Sequence, residues 1–501
     1  MSIIQKFFFA VLFLQFLIPS HLFSQAPDTL WTRLFGGANY DYGYYVQQTF
    51  DNAYMIIGET NSYGSGNYDI WFIKTDENGE ESWSVIIDSS FFDEAFSGLQ
   101  TPDSGYIIAG TYQVNGGLSN ALMIKLDKNG NEQWSKSFGG DGSEELFTVK
   151  QTFDGGFVLS GNTHSYSSSH DFWLVKTDQD GNTIWEKTYG GNQTERCIST
   201  IQTSDSGYIM VGTTRSYGSG GDDIWIVKTD VDGNLIWSNY YGGNNDDAGY
   251  SIQGTNDDGY IIIGFTTSIS TGGADFCLLK IDYAGDQQWL KTFGGTEDDK
   301  GYSMRKTSDE NFVIVGMTKS FGLVNPDIWI IKVNQNGDQL WDKIIGGSDY
   351  DYSPWIQQTN DGGYILAGYT YSFGAGLYDA WLIKLDSDVS GVENQASNLP
   401  NQISLLQNYP NPFNPTTKIS WQSPIGSWQT LKIFDMLGNE VATLINEYRP
   451  SGEYEVEFSA IGGGSQLTSG VYFYQLLVSA LQSKDGKAGS FLETKKMILL
   501  K

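Results

Sequence analysis

Histidine, cysteine and basic side chains are scarce in this 501-residue chain, which has three His, two Cys and 29 Lys+Arg against 59 Asp+Glu. Two cysteines give no disulfide framework. Cys197 and Cys277 stand at different positions of the pattern described below, so register does not indicate a bridge, and the expectation is two small buried strand residues. Beyond residue 25 only His164 and His170 remain, in one Ser-rich loop, THSYSSSHD, too polar and sparse to argue a site. The basic deficit is local. Residues 1–25 carry +1 and residues 401–501 balance eight basic against eight acidic groups, so 26–400 holds −31 of the net −30. Such a surface repels phosphates and anionic lipid, which excludes nucleic acid and membrane surface as partners and favours cations or basic partners. Long apolar runs are missing from 26–501, so the mature chain is expected to have no transmembrane segment.

The first 25 residues differ from the rest. One lysine precedes about a dozen mostly apolar residues and then small, polar ones, the pattern of a secretory signal peptide cut close to Ser24 or Gln25.

What the chain has in abundance is glycine, 60 residues, and aromatics, 15%. They recur with a period. Tryptophan opens a unit at Trp31, Trp83, Trp134, Trp185, Trp237, Trp289 and Trp341, every 51 or 52 residues. Each unit holds four short apolar runs, with Gly-Gly, T-x-D-x-G, S-x-G-x-G and D-x-x-G turns between them, and no helical period. Four strands per repeat and seven repeats predict an all-β, seven-bladed β-propeller over 26–388. A β-solenoid is the alternative architecture, although its coils usually run shorter than this unit.

Features shared by all seven copies read as scaffold. The T-x-D aspartates, from Asp51 to Asp361, are placed to bond backbone amides and hold a hairpin. D-x-x-G before the tryptophans from Trp83 to Trp289 is a second hairpin, with N-x-x-G in its place before Trp341, and its D-x-D-G variant lacks the further ligands of a calcium loop. The DIWLIK-like run ends in lysine every time (Lys74, Lys125, Lys176, Lys228, Lys280, Lys332, Lys384), and a lysine on a packed face calls for a carboxylate partner. Trp31 begins a strand that precedes the first full unit, while DAWLIKLDSD at 379–388 lacks a tryptophan strand after it. The N-terminal strand should therefore complete the last blade beside Trp381. Blade two departs most, with SSFFDEAF in place of the Gly-Gly turn and ALMIK in place of D-x-W-x-x-K. The units resemble secreted bacterial propeller repeats of the form DGGYIIAGTT…D-x-WLIKTD-x-x-G-x-x-x-W, and more distantly Asp-box and quinoprotein-type blades. That resemblance implies the fold and leaves the activity open.

After a polar linker at 389–404, residues 405–501 read as a small immunoglobulin-like β-sandwich of about seven strands. LLQNYPNPFNPTTKISW, LKIFDMLGNEVATL, SGVYFYQL and the closing TKKMILLK closely resemble the type A C-terminal sorting domain (Por secretion tail) of the type IX secretion system. The resemblance implies the secretion machinery as partner through 405–501 and export across the outer membrane. It further implies removal of the module, then release or attachment at the surface of a Gram-negative bacterium.

One acidic position recurs four residues past each Gly-Gly turn, at Asp41, Glu144, Glu195, Asp247, Asp299 and Asp351, with Asp93 equivalent in blade two. Two readings stand. Each group caps its own loop, or the seven form a ring near the axis that takes a cation, with calcium the metal such oxygens suit, or a basic ligand. No cofactor is required. A quinone would want tryptophan and arginine facing the axis, and 26–400 has few arginines. No catalytic constellation breaks the repeat, so the expected function is a secreted or surface binding module for a glycan, protein or other envelope component. The alternative is a secreted polysaccharide hydrolase or lyase.

Overall fold

A computed structural model describes residues 26–388 except 66, 89–91, 114–116, 271 and 323–324, and residues 403–500 except 424–426, 450–451, 463–464 and 480–489. Residues 1–25, which read as a signal peptide, and most of the linker lie outside them. The chain divides into two compact units, Met1–Gly391 and Val392–Lys501.

The first unit comprises seven four-stranded antiparallel sheets. In blade one the strands are Asp41–Gln48, Tyr54–Thr60, Asp69–Thr75 and Glu81–Ile87, in that spatial order. The second and third are buried along their whole length, which is why YMIIGET and DIWFIKT read as continuous apolar runs. The fourth alternates exposed and half-buried residues, as an outer strand does. Each first strand touches those of both neighbouring blades, and Asp351–Gln358 touches Asp41–Gln48, so the ring is closed. Closure follows the expected scheme. Thr29–Phe35 pairs with Asp379–Leu385 and supplies the fourth strand of blade seven.

The repeated motifs hold the blades as the spacing predicts. All seven strand-end lysines are buried, and each ammonium lies 2.7–3.1 Å from the T-x-D aspartate of its own blade. Asp178 accepts the amides of Asp180 and Asn182 in the D-x-x-G turn. The turn glycine has a further duty. Gly233 has φ +74°, and a Cβ there would lie 2.8 Å from the ring of Trp185, and in the same way the six tryptophans from Trp31 to Trp289 each cover the turn of the next blade. Cys197 and Cys277 are buried free thiols.

The second unit is a sandwich. One sheet is formed by Ser404–Leu405, Thr416–Ser423 and Gly452–Ser459. The other runs Glu440–Arg449, Ser427–Phe434, Gly470–Ser479, Ser490–Leu499. Trp421, Ile433, Tyr474 and Met497 fill the space between them. The opening and closing motifs are tied together, because Phe413 donates its amide to the Ile498 carbonyl at 2.9 Å.

Candidate binding site at the central channel

The seven recurrent carboxylates begin the seven first strands and are all buried. Asp41 accepts from the Gly37 amide (2.8 Å) and from the hydroxyls of Thr60 and Ser62. Glu144, Glu195, Asp247, Asp299 and Asp351 likewise take the amide of their own Gly-Gly turn and a Thr or Ser hydroxyl.

What the structure adds is the group each one faces. A Cβ on Gly242 would stand 2.0 Å from Asp223 Oδ1 and 2.7 Å from Asp247 Oδ2, so the first turn glycine makes room between two carboxyl groups from adjacent blades. The same holds at Gly36 between Asp379 and Asp41, and at Gly294 between Asp275 and Asp299. Burial, followed by the nearby Asp247 and Asp222 charges, pushes the Asp223 carboxyl up to about 6 despite the Ser219 amide. Asp93 is drawn together with Asp69 and Asp88, one oxygen of each lying within 4.8 Å of the others.

The channel itself is set by a break in alternation. In every first strand the pairing register shifts around the fourth residue, a β-bulge at Tyr44, Phe96, Phe147, Ile198, Tyr250, Tyr302 and Pro354. A bulge re-aims side chains. It turns the fourth, fifth and seventh residues toward one cavity of about 300 Å³, lined from all seven first strands. Aromatic rings girdle it, with Tyr44 5.1 Å from Phe96, Phe96 5.4 Å from Phe147 and Tyr250 5.6 Å from Tyr302.

Around the start of the first strands, blades seven and one carry a continuous cluster of tyrosines: Tyr40, Tyr42, Tyr44 and Tyr68 with Tyr350, Tyr352, Tyr369, Tyr371 and Tyr378. Tyr42 lies 4.8 Å from Tyr369 and stacks on Tyr40 at 6.3 Å, and Tyr369 lies 5.3 Å from Tyr378. Tyr350 and Tyr371 remain 42% and 43% exposed, so the cluster offers rings to solvent. Acids border it. Tyr44 donates to Glu59 Oε1 at 2.7 Å, while buried Oε2 has no partner among the described residues. Burial, helped by Glu94, pushes the Glu59 carboxyl up to about 8, and burial with Glu145 brings Glu94 to about 7. On the far side the Lys300 ammonium lies 4.5 Å over the Phe265 ring. The two histidines set aside on sequence come within 5.3 Å of each other.

None of these channel residues is apparent in the repeat pattern. The available signal was an aromatic at the fourth position of five of the seven first strands, DYGYYVQQ, DEAFSGLQ, EELFTVKQ, DAGYSIQG and DKGYSMRK.

Residues 407–485 match the family of secretion system C-terminal sorting domains. No curated protein matches the chain in sequence. Among solved structures the chain is similar to puromycin hydrolase, at 11% identity and TM-score 0.46 over 76% of this chain and 58% of that one. It is also similar to the Pan2 WD40 domain of Neurospora crassa (9%, 0.43, 72% and 100%) and to Drosophila Semaphorin 2a (7%, 0.42, 91% and 97%). The closed ring of seven sheets makes the first unit a seven-bladed β-propeller. The second unit is a secretion-system sorting domain.

Proposed function

We propose that the protein is a non-catalytic binding module, exported by the type IX secretion system to the outside of the cell, whose tyrosine-lined channel mouth takes a glycan. The tyrosine cluster carries this reading. Aromatic faces pack against the apolar faces of sugar rings, and the phenol hydroxyls and bordering carboxyls supply the few placed polar groups a specific pocket needs. A second reading, a polysaccharide hydrolase or lyase, is favoured by Glu59 and Glu94. Two carboxyls kept protonated near neutrality are what general acid chemistry uses.

The test is a glycan and envelope-component array probed with the exported protein, followed by a reducing-end assay on every glycan retained. Binding without chain cleavage is the expected outcome. Cleavage that Glu59→Gln abolishes would establish the second reading, and retention of no glycan would contradict both.

A further inference from the structure

The chain gives every strand-end lysine an aspartate, seven times out of seven. Lys150 and Arg305, the seventh residues of two first strands, are treated differently. Both line the central cavity, and among the described residues no carboxyl lines it with them. The Arg305 guanidinium lies 3.8 Å over the Trp355 ring and the Lys150 ammonium 5.6 Å over the same ring. Trp355 occupies the position at which five other first strands have Ser97, Thr148, Ser199, Ser251 and Ser303. It forms a floor shared by two like charges, with Tyr45 against it at 4.4 Å.

Cation–π attraction offsets part of the desolvation of these groups, and nothing offsets their mutual repulsion. Arg305 donates from Nη1 to the Met304 carbonyl at 2.7 Å, and Lys150 makes no hydrogen bond or ion pair among the described residues. A third group points to a missing partner. The Ser303 hydroxyl, 1% exposed and lining the same cavity, has no hydrogen-bond partner among the described residues. Two unpaired cations and an unsatisfied hydroxyl facing one cavity form a receptor for an anion.

We propose that the central channel binds a carboxylate between Lys150, Arg305 and Ser303, over Trp355. A planar carboxylate matches the remaining guanidinium edge, leaves an oxygen for the ammonium and accepts from the hydroxyl. Of the tyrosine cluster, Tyr44 alone lines this cavity. The state of Lys150 agrees with it. Burial, then Arg305, lowers its ammonium to about 7, and an anion between the two would restore it. The carboxylate can come from a free small acid or from an acidic sugar.

Calorimetric titration of the full-length protein with sodium acetate, sodium glucuronate and glucose tests the proposal. At least one acid is expected to bind saturably and glucose not at all. Lys150→Gln and Arg305→Gln should each weaken binding about tenfold or more. Ser303→Ala, a change too small to endanger folding, should weaken it measurably at an unchanged melting temperature. Tighter glucuronate than acetate assigns the acidic sugar, and equal affinities assign the free acid. Failure of both acids to bind, undiminished affinity in Ser303→Ala and folded Arg305→Gln, or equal binding of glucose would overturn the site.

Discussion

Trp31 lies directly across from Lys384 in the strand pair that closes the ring, and its ring covers Gly79 at the D-x-x-G turn of blade one. One residue therefore joins the last blade to the first. Deleting residues 26–37 removes this strand and bares the Asp379–Leu385 edge. The loss should be on the order of several kcal/mol, with a lower melting temperature and faster aggregation. An unchanged melting temperature would show that the ring does not depend on this closure.

The lysine–aspartate clamps are asymmetric, and mutation should reveal it. Lys228 is 5% exposed and Asp205 56% exposed. Asp205→Ala strands a buried ammonium, whereas Lys228→Met leaves a carboxylate that water solvates. The aspartate variant should be the less stable by about 1–3 kcal/mol. Denaturant melts of the two single variants decide the order.

The same clamps predict acid unfolding. The Thr255 hydroxyl and the Lys280 ammonium hold the Asp257 carboxyl down at about 2, and Asp103, Asp205 and Asp309 sit equally low against the upward push of burial. A depressed carboxyl contributes stability above its unfolded value near 4 that is lost as pH falls toward 2. The melting temperature should drop across that window, less steeply in an Asp257→Asn variant.

Asp223 should behave in the opposite sense. Its raised carboxyl contributes stability fully present below pH 4 and lost as pH rises through about 6, because ionisation then leaves a buried charge, set against Asp247. Asp223→Asn should raise the melting temperature at pH 7.5 and have little effect at pH 4. A variant destabilised at both pH values would contradict the carboxyl pairing.

The scaffold was legible because it is written seven times. Trp31 to Trp341, each T-x-D turn and each strand-end lysine repeat at one period, and a position occupied identically in seven blades declares its role by repetition. The channel was not legible, for two reasons. Its residues vary from blade to blade, and the bulge at Tyr44 and its equivalents shifts the side-chain alternation, so Lys150 and Arg305 cannot be assigned to the cavity by counting. Asp223 was missed differently. Read as the start of an apolar strand, DIWIVK, it gave no hint that it would face Asp247 across a blade junction.

The proposed binding site is the tyrosine mouth, where blades seven and one depart from the common pattern. The most direct measurement is the affinity of the exported protein and of Tyr369→Ala for a glycan retained on the array, with melting temperatures alongside. The account predicts that Tyr369→Ala weakens binding about tenfold or more while the propeller still melts cooperatively, since stacking aromatics concentrate binding energy. Equal affinity in wild type and variant would contradict it.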